Sequence, residues 1–269
     1  MKVQWLPNFA FEDLYFKGTG FQIGYNLNKQ KHSIPISIGI GYLKGYLNLG
    51  KNVWTDETGS ELGIFESKEW YDAYSIGVNF SKFTDISFGL TYKSIVSKLG
   101  ISHVMPNGEI ENYNAHPKAV DLGFLLTIPF HKLYSKVFDN MQLENTKLSP
   151  ISSLSIGIAN MNIGDEVYYM DRRYKDPLPR QAKIGYGVNL GLNIDMNGNK
   201  VDIFKFQYSS EANDELVKID TSGNFKYEPF PGEINIFKNI IDNESNSSAI
   251  NRNGFSFEVM EFIKISRGK

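Results

Sequence analysis

Large apolar residues occupy every second position in many segments of this chain, whereas the spacing typical of amphipathic helices is scarce. Alternation with a period of two predicts β-strands that have one apolar face. The sequence therefore predicts an all-β protein with nine strands. The alternating segments lie near residues 21–27, 36–42, 74–80, 86–92, 120–128, 154–158, 184–194, 204–208 and 255–259.

The positions between the large apolar residues are mostly Gly, Ser, Asn and Thr, with few charges. A soluble β-sandwich usually exposes charged residues on its outer face, and interior glycines weaken its strands. A lipid-facing apolar wall around a lumen lined by small polar residues explains both faces. We therefore predict an antiparallel transmembrane β-barrel, with a soluble, glycine-rich, ligand-binding β-protein as an alternative.

The connections between the predicted strands alternate between short and long, as they do in outer-membrane barrels. Short connections are predicted at Lys29–Ile34, Ser81–Asp85 and Asp195–Lys200, the last with an Asn197-Gly198 hairpin signal. Long ones are predicted at Gly50–Glu69, Gly100–Lys118, Met161–Arg180 and Glu211–Asn253. We interpret 211–253 as a long extracellular loop. The connection His131–Ser152 breaks the alternation, so we interpret 131–152 as a periplasmic insertion.

The whole chain, 1–269, is predicted to form one barrel domain because strands flank every loop. The alternation makes the first predicted strand run from the outside to the periplasm, whereas such barrels begin in the periplasm. Residues 1–9 also lack the apolar stretch of a signal peptide. We therefore expect a barrel truncated at both ends, in which the signal peptide and the opening strands precede residue 1.

Composition argues against several function classes. The 28 basic and 30 acidic residues give a net charge of −2, so a nucleic-acid partner is not expected. The absence of cysteine excludes disulfides and thiolate chemistry, and no serine lies in a G-x-S-x-G motif. The four histidines, His32, His103, His116 and His131, lack metal-ligand spacing, although a turn at 106–108 could bring His103 and His116 together. We predict no enzyme activity, no metal and no cofactor.

Charged residues at polar-face positions are the candidates for a lumen site. Lys93 and Asp121 lie on neighbouring predicted strands and are expected to face each other. A structural ion pair is the simpler interpretation, and a selectivity or ligand contact is the alternative. The other lumen candidates are Lys205, Glu258 and Lys264.

A second candidate site precedes the strand near residue 184. Asp176, Pro177, Pro179 and Arg180 form a rigid, extended entry to that strand, or alternatively a surface for a protein partner. Aromatic residues near long loops suit either a girdle at the membrane interface or a docking patch. They are Tyr168, Tyr169, Tyr174, Trp70 and Tyr71.

Several segments occur in the order and spacing of a known family. Residues 155–165, SIGIANMNIGD, are followed by DPLPR at 176–180 and AKIGYG at 182–187. This series resembles the G-x-x-x-x-N-x-G, x-L-P and x-x-x-G signature of the PorV/PorQ family. Residues 89–99, 119–125 and 254–261, with Arg267-Gly268, are similar to further parts of it, so the resemblance spans roughly residues 70–269.

The resemblance implies a FadL-like outer-membrane barrel of the Bacteroidetes group with about fourteen strands. One role in this family is that of a type IX secretion component, which passes cargo proteins to a surface-attachment machinery. FadL relatives instead transport hydrophobic small molecules. The implied partners are thus outer-membrane lipid and proteins of a secretion complex, or hydrophobic compounds. This chain departs from the family at the N-terminal plug region and at the insertion 131–152.

Overall fold

The computed structural model describes residues 2–4, 14–27, 35–100, 103–104, 110–111, 114–133, 142–143, 146–169, 175–196, 199–260 and 262–269. The strands of this part of the chain are β1 (Lys2–Gln4), β2 (Leu14–Asn26), β3 (Ile36–Thr55), β4 (Glu61–Ser81), β5 (Asp85–Lys98), β6 (His103–Val104), β7 (Ile110–Glu111), β8 (Asn114–Ala115), β9 (Lys118–Pro129), β10 (Gln142–Leu143), β11 (Thr146–Gly164), β12 (Glu166–Val167), β13 (Asp176–Pro177), β14 (Gln181–Met196), β15 (Asn199–Glu215), β16 (Val217–Ile219), β17 (Phe225–Tyr227), β18 (Ile250–Val259) and β19 (Ile263–Gly268). The helical elements are α1 (Phe130–Leu133) and a π-helical turn, Ile236–Ile241.

One large antiparallel sheet contains all nine predicted strands. Its hydrogen-bonded order is β1-β2-β3-β4-β5-β9-β11-β14-β15-β18-β19, so successive long strands are neighbours. The prediction of an all-β, antiparallel fold is confirmed. Within the described residues the sheet is open, with β1 and β19 at its two edges.

Several strands are longer than the alternation of apolar residues predicts. The predicted loop Gly50–Glu69 is wrong, because β3 and β4 stay paired up to Thr55 and Glu61 around a turn of five residues. The Asp56 carboxylate closes that turn by accepting hydrogen bonds from the backbone N–H groups of Thr58 and Ser60, at 2.9 and 2.8 Å. The hairpin arms carry polar side chains on both faces, so apolar periodicity could not reveal them.

Two further predicted connections also differ in extent. The predicted loop 211–253 is shorter, because β15 continues to Glu215 and β18 begins at Ile250. The predicted insertion 131–152 contains the end of α1 and the start of β11 at Thr146. Residues 134–141 and 144–145 of that insertion lie outside the described residues, as do 28–34 of the first short connection.

The two faces of the sheet differ in chemistry. The face that we call the apolar face carries large side chains that are mostly 36 to 64% exposed. An exposed apolar surface of this extent is unusual for a soluble monomer and marks an interaction surface. Its exposed members are Phe21, Ile23, Tyr25, Ile38, Ile40, Tyr74, Ile76, Phe80, Phe88, Leu90, Tyr92, Leu122, Ile156, Ile158, Leu190, Phe204, Phe255 and Phe257.

The opposite face, the polar face, carries small hydroxyl and amide side chains that bond across neighbouring strands. The hydroxyl oxygens of Ser75 and Thr91 are 2.8 Å apart. Asn79 Nδ2 donates to Ser87 Oγ at 2.8 Å, and Asn189 Nδ2 donates to Ser153 Oγ at 3.2 Å. These short side chains satisfy one another in pairs, as cross-strand neighbours do in other sheets. The polar face is therefore a hydrogen-bonded lining of the sheet.

Most of the exposed large apolar residues on the apolar face lie toward one end of the sheet, and we call this zone the apolar belt. On β3, β4 and β5 the belt ends at a tyrosine. On two of these strands the next residue on that face, away from the belt, is charged: Lys44 after Tyr42 on β3, and Asp72 before Tyr74 on β4. The ring centroids of Tyr42 and Tyr74 are 5.3 Å apart. Tyr92 is the third member of this tyrosine row, directly opposite Tyr74.

The aromatic residues predicted to form a girdle or a docking patch do not belong to this row. Tyr71 lies on the polar face, where its ring occupies the space that a side chain at Gly45 would need. The Tyr169 hydroxyl lies 2.9 Å from that of Ser97, a buried residue. Trp70 is on the apolar face beyond the belt, with the Lys98 ammonium 5.6 Å from its ring. Tyr174 lies outside the described residues.

The strands are staggered along the sheet. A row of directly opposed residues on successive strands starts at Ile36, the first residue of β3, at one end of the sheet. It reaches β18 at Asn253, close to the other end of the sheet. Between them it passes through Phe80, Ile86, Leu126, Ile156, Tyr186 and Ser210. Such a stagger means that the strands are inclined to the ends of the sheet, as in barrels.

Residues 216–249, the cover segment, connect β15 to β18 and pack on the apolar face beyond the belt. The β16–β17 hairpin and the π-helical turn belong to it. This contact forms the main buried cluster of the described residues: Ala182, Ile184, Ala212, Leu216, Ile234, Ile240 and Ala249. The connection is therefore a layer packed on the sheet, although the composition of residues 242–248 is polar enough for a mobile loop.

A buried carboxylate fixes the cover segment to the sheet. Asp214 is fully buried and accepts hydrogen bonds from Lys218 Nζ at 3.0 Å, Ser248 Oγ at 2.6 Å and Glu233 N at 2.7 Å. Gly232, at a φ of +69°, lets the backbone approach, because a Cβ there would lie 2.3 Å from Asp214 Oδ2. Burial alone raises the pKa of Asp214, but these donors outweigh it and leave the pKa below its usual value.

This depressed pKa predicts that the cover segment loosens in acid. The stabilisation by Asp214 is complete above the pKa of the unfolded chain, about 3.9, and is lost as the pH falls through the lower folded value. We expect the backbone amides of 216–249 to lose protection below pH 4, measured relative to their intrinsic exchange rate at the same pH. Asp214→Asn should lower this protection already at neutral pH, because it lowers the stability of the contact by about 1–3 kcal/mol.

Asp220→Asn is the matched control, because Asp220 lies in the same segment but only accepts hydrogen bonds within an exposed turn. Hydrogen exchange read by mass spectrometry measures both variants. Equal exchange of the cover segment in the two variants at neutral pH would contradict the role of Asp214.

Candidate functional site

Lys93 and Asp121 form an ion pair on the polar face, as their positions in the sequence predict. Lys93 Nζ lies 2.7 Å from Asp121 Oδ2, and the two side chains are only 14% and 17% exposed. They come from the adjacent strands β5 and β9, where Lys93 is opposite Ala119 and Asp121 is opposite Thr91. A pair this shielded from water is screened little by salt. Its role in a lumen stays a prediction.

Asn162 is the residue that sequence reasoning missed. Its Oδ1 accepts a hydrogen bond from Lys93 Nζ at 2.8 Å, and its backbone N–H donates to Asp121 Oδ1 at 2.9 Å. It lies at a bulge in β11 with a φ of +58°, a conformation that Asn tolerates better than most residues. The ion pair is thus part of a three-residue cluster.

The cluster is joined to the second candidate site. Asn162 Nδ2 donates a hydrogen bond to the backbone oxygen of Pro179 at 2.8 Å. We call the second candidate site, residues 176–180 with Tyr168 and Tyr169 before them, the partner loop. The predicted lumen pair and the partner loop are therefore neighbours, linked through Asn162. Asn162 belongs to the segment 155–165 that carries the family resemblance, and this was the available signal.

Gly164, in the same segment, lies where there is no space for a side chain. A Cβ at this position would lie 2.0 Å from the backbone oxygen of Lys118, so any side chain would push β11 away from β9. Just after it, the Asp165 backbone N–H donates to that oxygen at 2.9 Å, and the Asp165 carboxylate accepts from the Lys118 N–H at 3.1 Å. The bulge and this close approach set the start of the loop that leads to residue 176.

Within the partner loop, the candidate residues divide into exposed and packed ones. Asp176 and Pro179 are exposed, and Tyr168 is 39% exposed. Pro177 is half-buried and stands opposite Glu166 in the small β12–β13 ladder. The exposed residues are those that could contact a partner.

Arg180 holds the partner loop against the cover segment. Its guanidinium lies 4.5 Å from the centre of the Tyr227 ring, and its backbone oxygen accepts a hydrogen bond from Leu216 N at 2.8 Å. A cation over an aromatic face contributes about 0.5–2 kcal/mol. Arg180 therefore joins two connections at the same end of the sheet, where they form one continuous surface.

The other lumen candidates form a separate row near the opposite end. Lys205 is directly opposite Glu258, and Glu258 is directly opposite Lys264, on β15, β18 and β19. Alternating charges at opposed positions favour strand pairing. The structure does not bring this row together with the Lys93–Asp121–Asn162 cluster.

The histidines add no site in the described part of the chain, where no group of three or more His, Asp or Glu is arranged to hold a metal ion. His131 Nδ1 lies 3.0 Å from the backbone oxygen of Ser152, and His116 is exposed. Residues 105–109, the predicted turn near His103, lie outside the described residues.

Two substitutions of Asn162 separate its backbone from its side-chain role. Both Asn162→Gly and Asn162→Ala remove the bonds to Lys93 and Pro179, but only alanine is strained at positive φ. We expect alanine to be the less stable by about 1 kcal/mol, and both to raise amide exchange at 175–180. Unchanged exchange there in the glycine variant would show that the side chain does not anchor the loop.

No protein-family model matches this chain, and no curated protein is similar to it in sequence. The membership of the PorV/PorQ family therefore stays a prediction from the motifs.

Proposed function

We propose that this protein is a transmembrane antiparallel β-barrel of a bacterial outer membrane. The observation that carries the proposal is the exposed apolar belt that ends at a row of tyrosines. On each strand we count the belt from the strand end that lies inside it to the apolar residue at its border. The belt then covers eight residues on β4 (74–81) and ten each on β9 (120–129) and β15 (199–208). A tilted membrane-spanning strand needs about nine to eleven.

Two further observations support this proposal. The stagger of the strands is the geometry that a closed barrel requires. A polar face of Gly, Ser, Asn and Thr is typical of a barrel lumen. Closure would pair the edges of β1 and β19, directly or through additional strands, and about fourteen strands are expected by resemblance. No described helix is long and apolar enough to span a membrane.

We propose further that the barrel is a non-enzymatic secretion or surface-attachment component, in which the connections at the tyrosine side of the belt bind protein partners. The PorV/PorQ resemblance supports this role. It is also supported by the contact of Arg180 with Tyr227, because it makes the partner loop and the cover segment one ordered surface. Asp176, Pro179 and Tyr168 are the exposed candidates on it.

A FadL-like transporter of hydrophobic small molecules is the second candidate. A cavity of about 560 Å³ adjoins the polar face and is lined by Gly123, Gly157, Gly185, Lys183 and Glu211, among others. Its size suits a small ligand. The ion pair between Lys183 and Glu211, at 3.5 Å, favours a polar solute over a hydrophobic one. We therefore place transport second.

The first experiment is gel mobility of the protein in detergent with and without boiling, together with its partition between membrane and soluble fractions. A membrane-bound protein whose mobility changes on boiling is the expected result. A soluble protein with unchanged mobility would overturn the barrel and leave a soluble β-protein.

Photo-crosslinking in native membranes then tests the partner role. A photoreactive residue at 176 or 179 should form protein adducts, whereas one at Phe88 in the belt should form lipid adducts. Protein adducts that are equally frequent at 88 and 179 would contradict a specific surface at the loops.

A further inference from the structure

The cover segment conceals polar groups of the apolar face just beyond the belt. On β15 the residues that follow Tyr208 on this face are Ser210, Ala212 and Asp214, and the two polar ones are 1% and 0% exposed. Ser210 Oγ donates to the backbone oxygen of Ile240 at 3.0 Å, and Asn251 Nδ2 donates to that of Asn239 at 2.6 Å. The cover segment thus satisfies the polar groups of the sheet just beyond the belt.

The π-helical turn presents apolar side chains on its outer side. Phe237 is 74% exposed, and Ile236 and Ile241 are each 54% exposed, whereas Asn239 and Ile240 face inward and are buried. Asn239 fixes the turn, because its Oδ1 accepts from Asn235 N at 2.7 Å and its Nδ2 donates to the Glu244 oxygen at 2.8 Å. These apolar side chains are therefore held outward by a rigid segment.

The π-helical turn adjoins the tyrosine side of the belt. The Tyr208 hydroxyl donates to Asn243 Oδ1 at 3.3 Å, so the end of the turn lies directly beside the last aromatic residue of β15. On the other side of the cover segment, Phe230 extends over the belt itself. A cavity of about 510 Å³ separates Phe230 from Phe88, Leu90, Leu122 and Ile158. The cover segment therefore borders the belt at Tyr208 and lies over part of it at Phe230.

We propose that the cover segment is a lipid-binding element, in which Ile236, Phe237 and Ile241 insert among the acyl chains of the outer leaflet and an acyl chain occupies the groove below Phe230. This inference rests on the proposed barrel, because it takes the belt as the lipid-facing surface. Its physical basis is that the cover segment borders the belt, exposes apolar side chains on its outer side and conceals the polar groups of the sheet beneath it. Interfacial segments with such a face bind lipid in proportion to the apolar area they bury.

The test is quenching of tryptophan fluorescence by lipids that carry bromine on their acyl chains. Three variants are reconstituted as full-length protein in such bilayers: Phe237→Trp, Leu90→Trp in the belt, and Ile219→Trp at an exposed site of the β16–β17 hairpin. The parent chain, with its three native tryptophans, gives the background. Positions 237 and 219 are both largely exposed, at 74% and 69%, so neither substitution should disturb the fold.

We expect the tryptophan at 237 to be quenched several-fold more than that at 219, and to a degree comparable with that at 90. Quenching at 90 without quenching at 237 would overturn the lipid-binding role and leave the barrel intact. Absence of quenching at 90 would overturn the proposed barrel itself. Protein adducts from a photoreactive residue at 237 would assign this surface to a protein partner and also overturn the lipid proposal.

Discussion

Phe88→Arg is expected to lower sharply the yield of protein assembled in a membrane and its stability there. Phe88 is 54% exposed in the middle of the apolar belt, between Ile86 and Leu90 on the same face of β5. An arginine on the lipid face near the bilayer midplane costs about 2–4 kcal/mol. That is a large part of the 5–15 kcal/mol by which a typical protein is stable. The measurement is the yield of the boiling-sensitive form in detergent and its unfolding midpoint in urea.

Gly89→Arg is the matched control, because it adds the same side chain one residue further along on the opposite face. A Cβ at Gly89 meets no heavy atom within 4 Å, so the polar face has room for it. We expect this variant to assemble. A similar loss in both variants would show that β5 does not separate lipid from lumen, and would contradict the barrel even if the wild-type protein were membrane-bound.

The fold was largely predictable where one face of a strand is apolar and the other is small and polar. Each of the nine alternating segments is a strand, because alternation with period two records which side of a sheet is apolar. The β3–β4 hairpin beyond Asn48 could not be predicted in this way, since its arms are exposed on both sides. There, pairing is maintained by backbone hydrogen bonds and side-chain contacts such as Asn52 to Ser67, at 2.9 Å.

The cover segment was missed for a different reason. Its run of polar residues, Asp242 to Ser248, is typical of a mobile loop, but several of these side chains bond to the sheet or to their own segment. Sequence composition does not distinguish polar groups that bond to water from those that bond to a neighbouring strand. The contact depends on which strands are adjacent, so only the three-dimensional arrangement reveals it.

The candidate site was predicted in part. Lys93 and Asp121 could be paired because both lie at polar-face positions of neighbouring strands. Asn162 could not, because alternation within β11 fails at its bulge, where the register with β9 shifts between Asn160 and Ile163. The link to Pro179 depends on that irregularity, so a regular-strand argument cannot reach it.

A double-mutant cycle on Lys93 and Asp121 is expected to give a large coupling energy. Lys93→Met leaves a shielded carboxylate, and Asp121→Asn leaves a shielded ammonium, so each should cost about 2 kcal/mol, between the values for exposed and buried pairs. The double variant removes both charges, and we expect it to cost clearly less than the sum of the single variants. Urea unfolding in detergent at low and high salt measures the cycle.

Lys44 and Asp72 provide the internal comparison, because their ion pair is longer, at 3.7 Å, and Lys44 is 47% exposed. Its coupling should stay below about 1 kcal/mol and decrease with salt, whereas that of Lys93 and Asp121 should hardly change. If the Lys93 variants instead kept their stability but lost crosslinking at residue 179, the cluster would contribute to partner binding and not to the stability of the sheet. Because Asn162 contacts both Lys93 and Pro179, this cycle decides whether the polar-face ion pair stabilises the sheet or positions the partner loop.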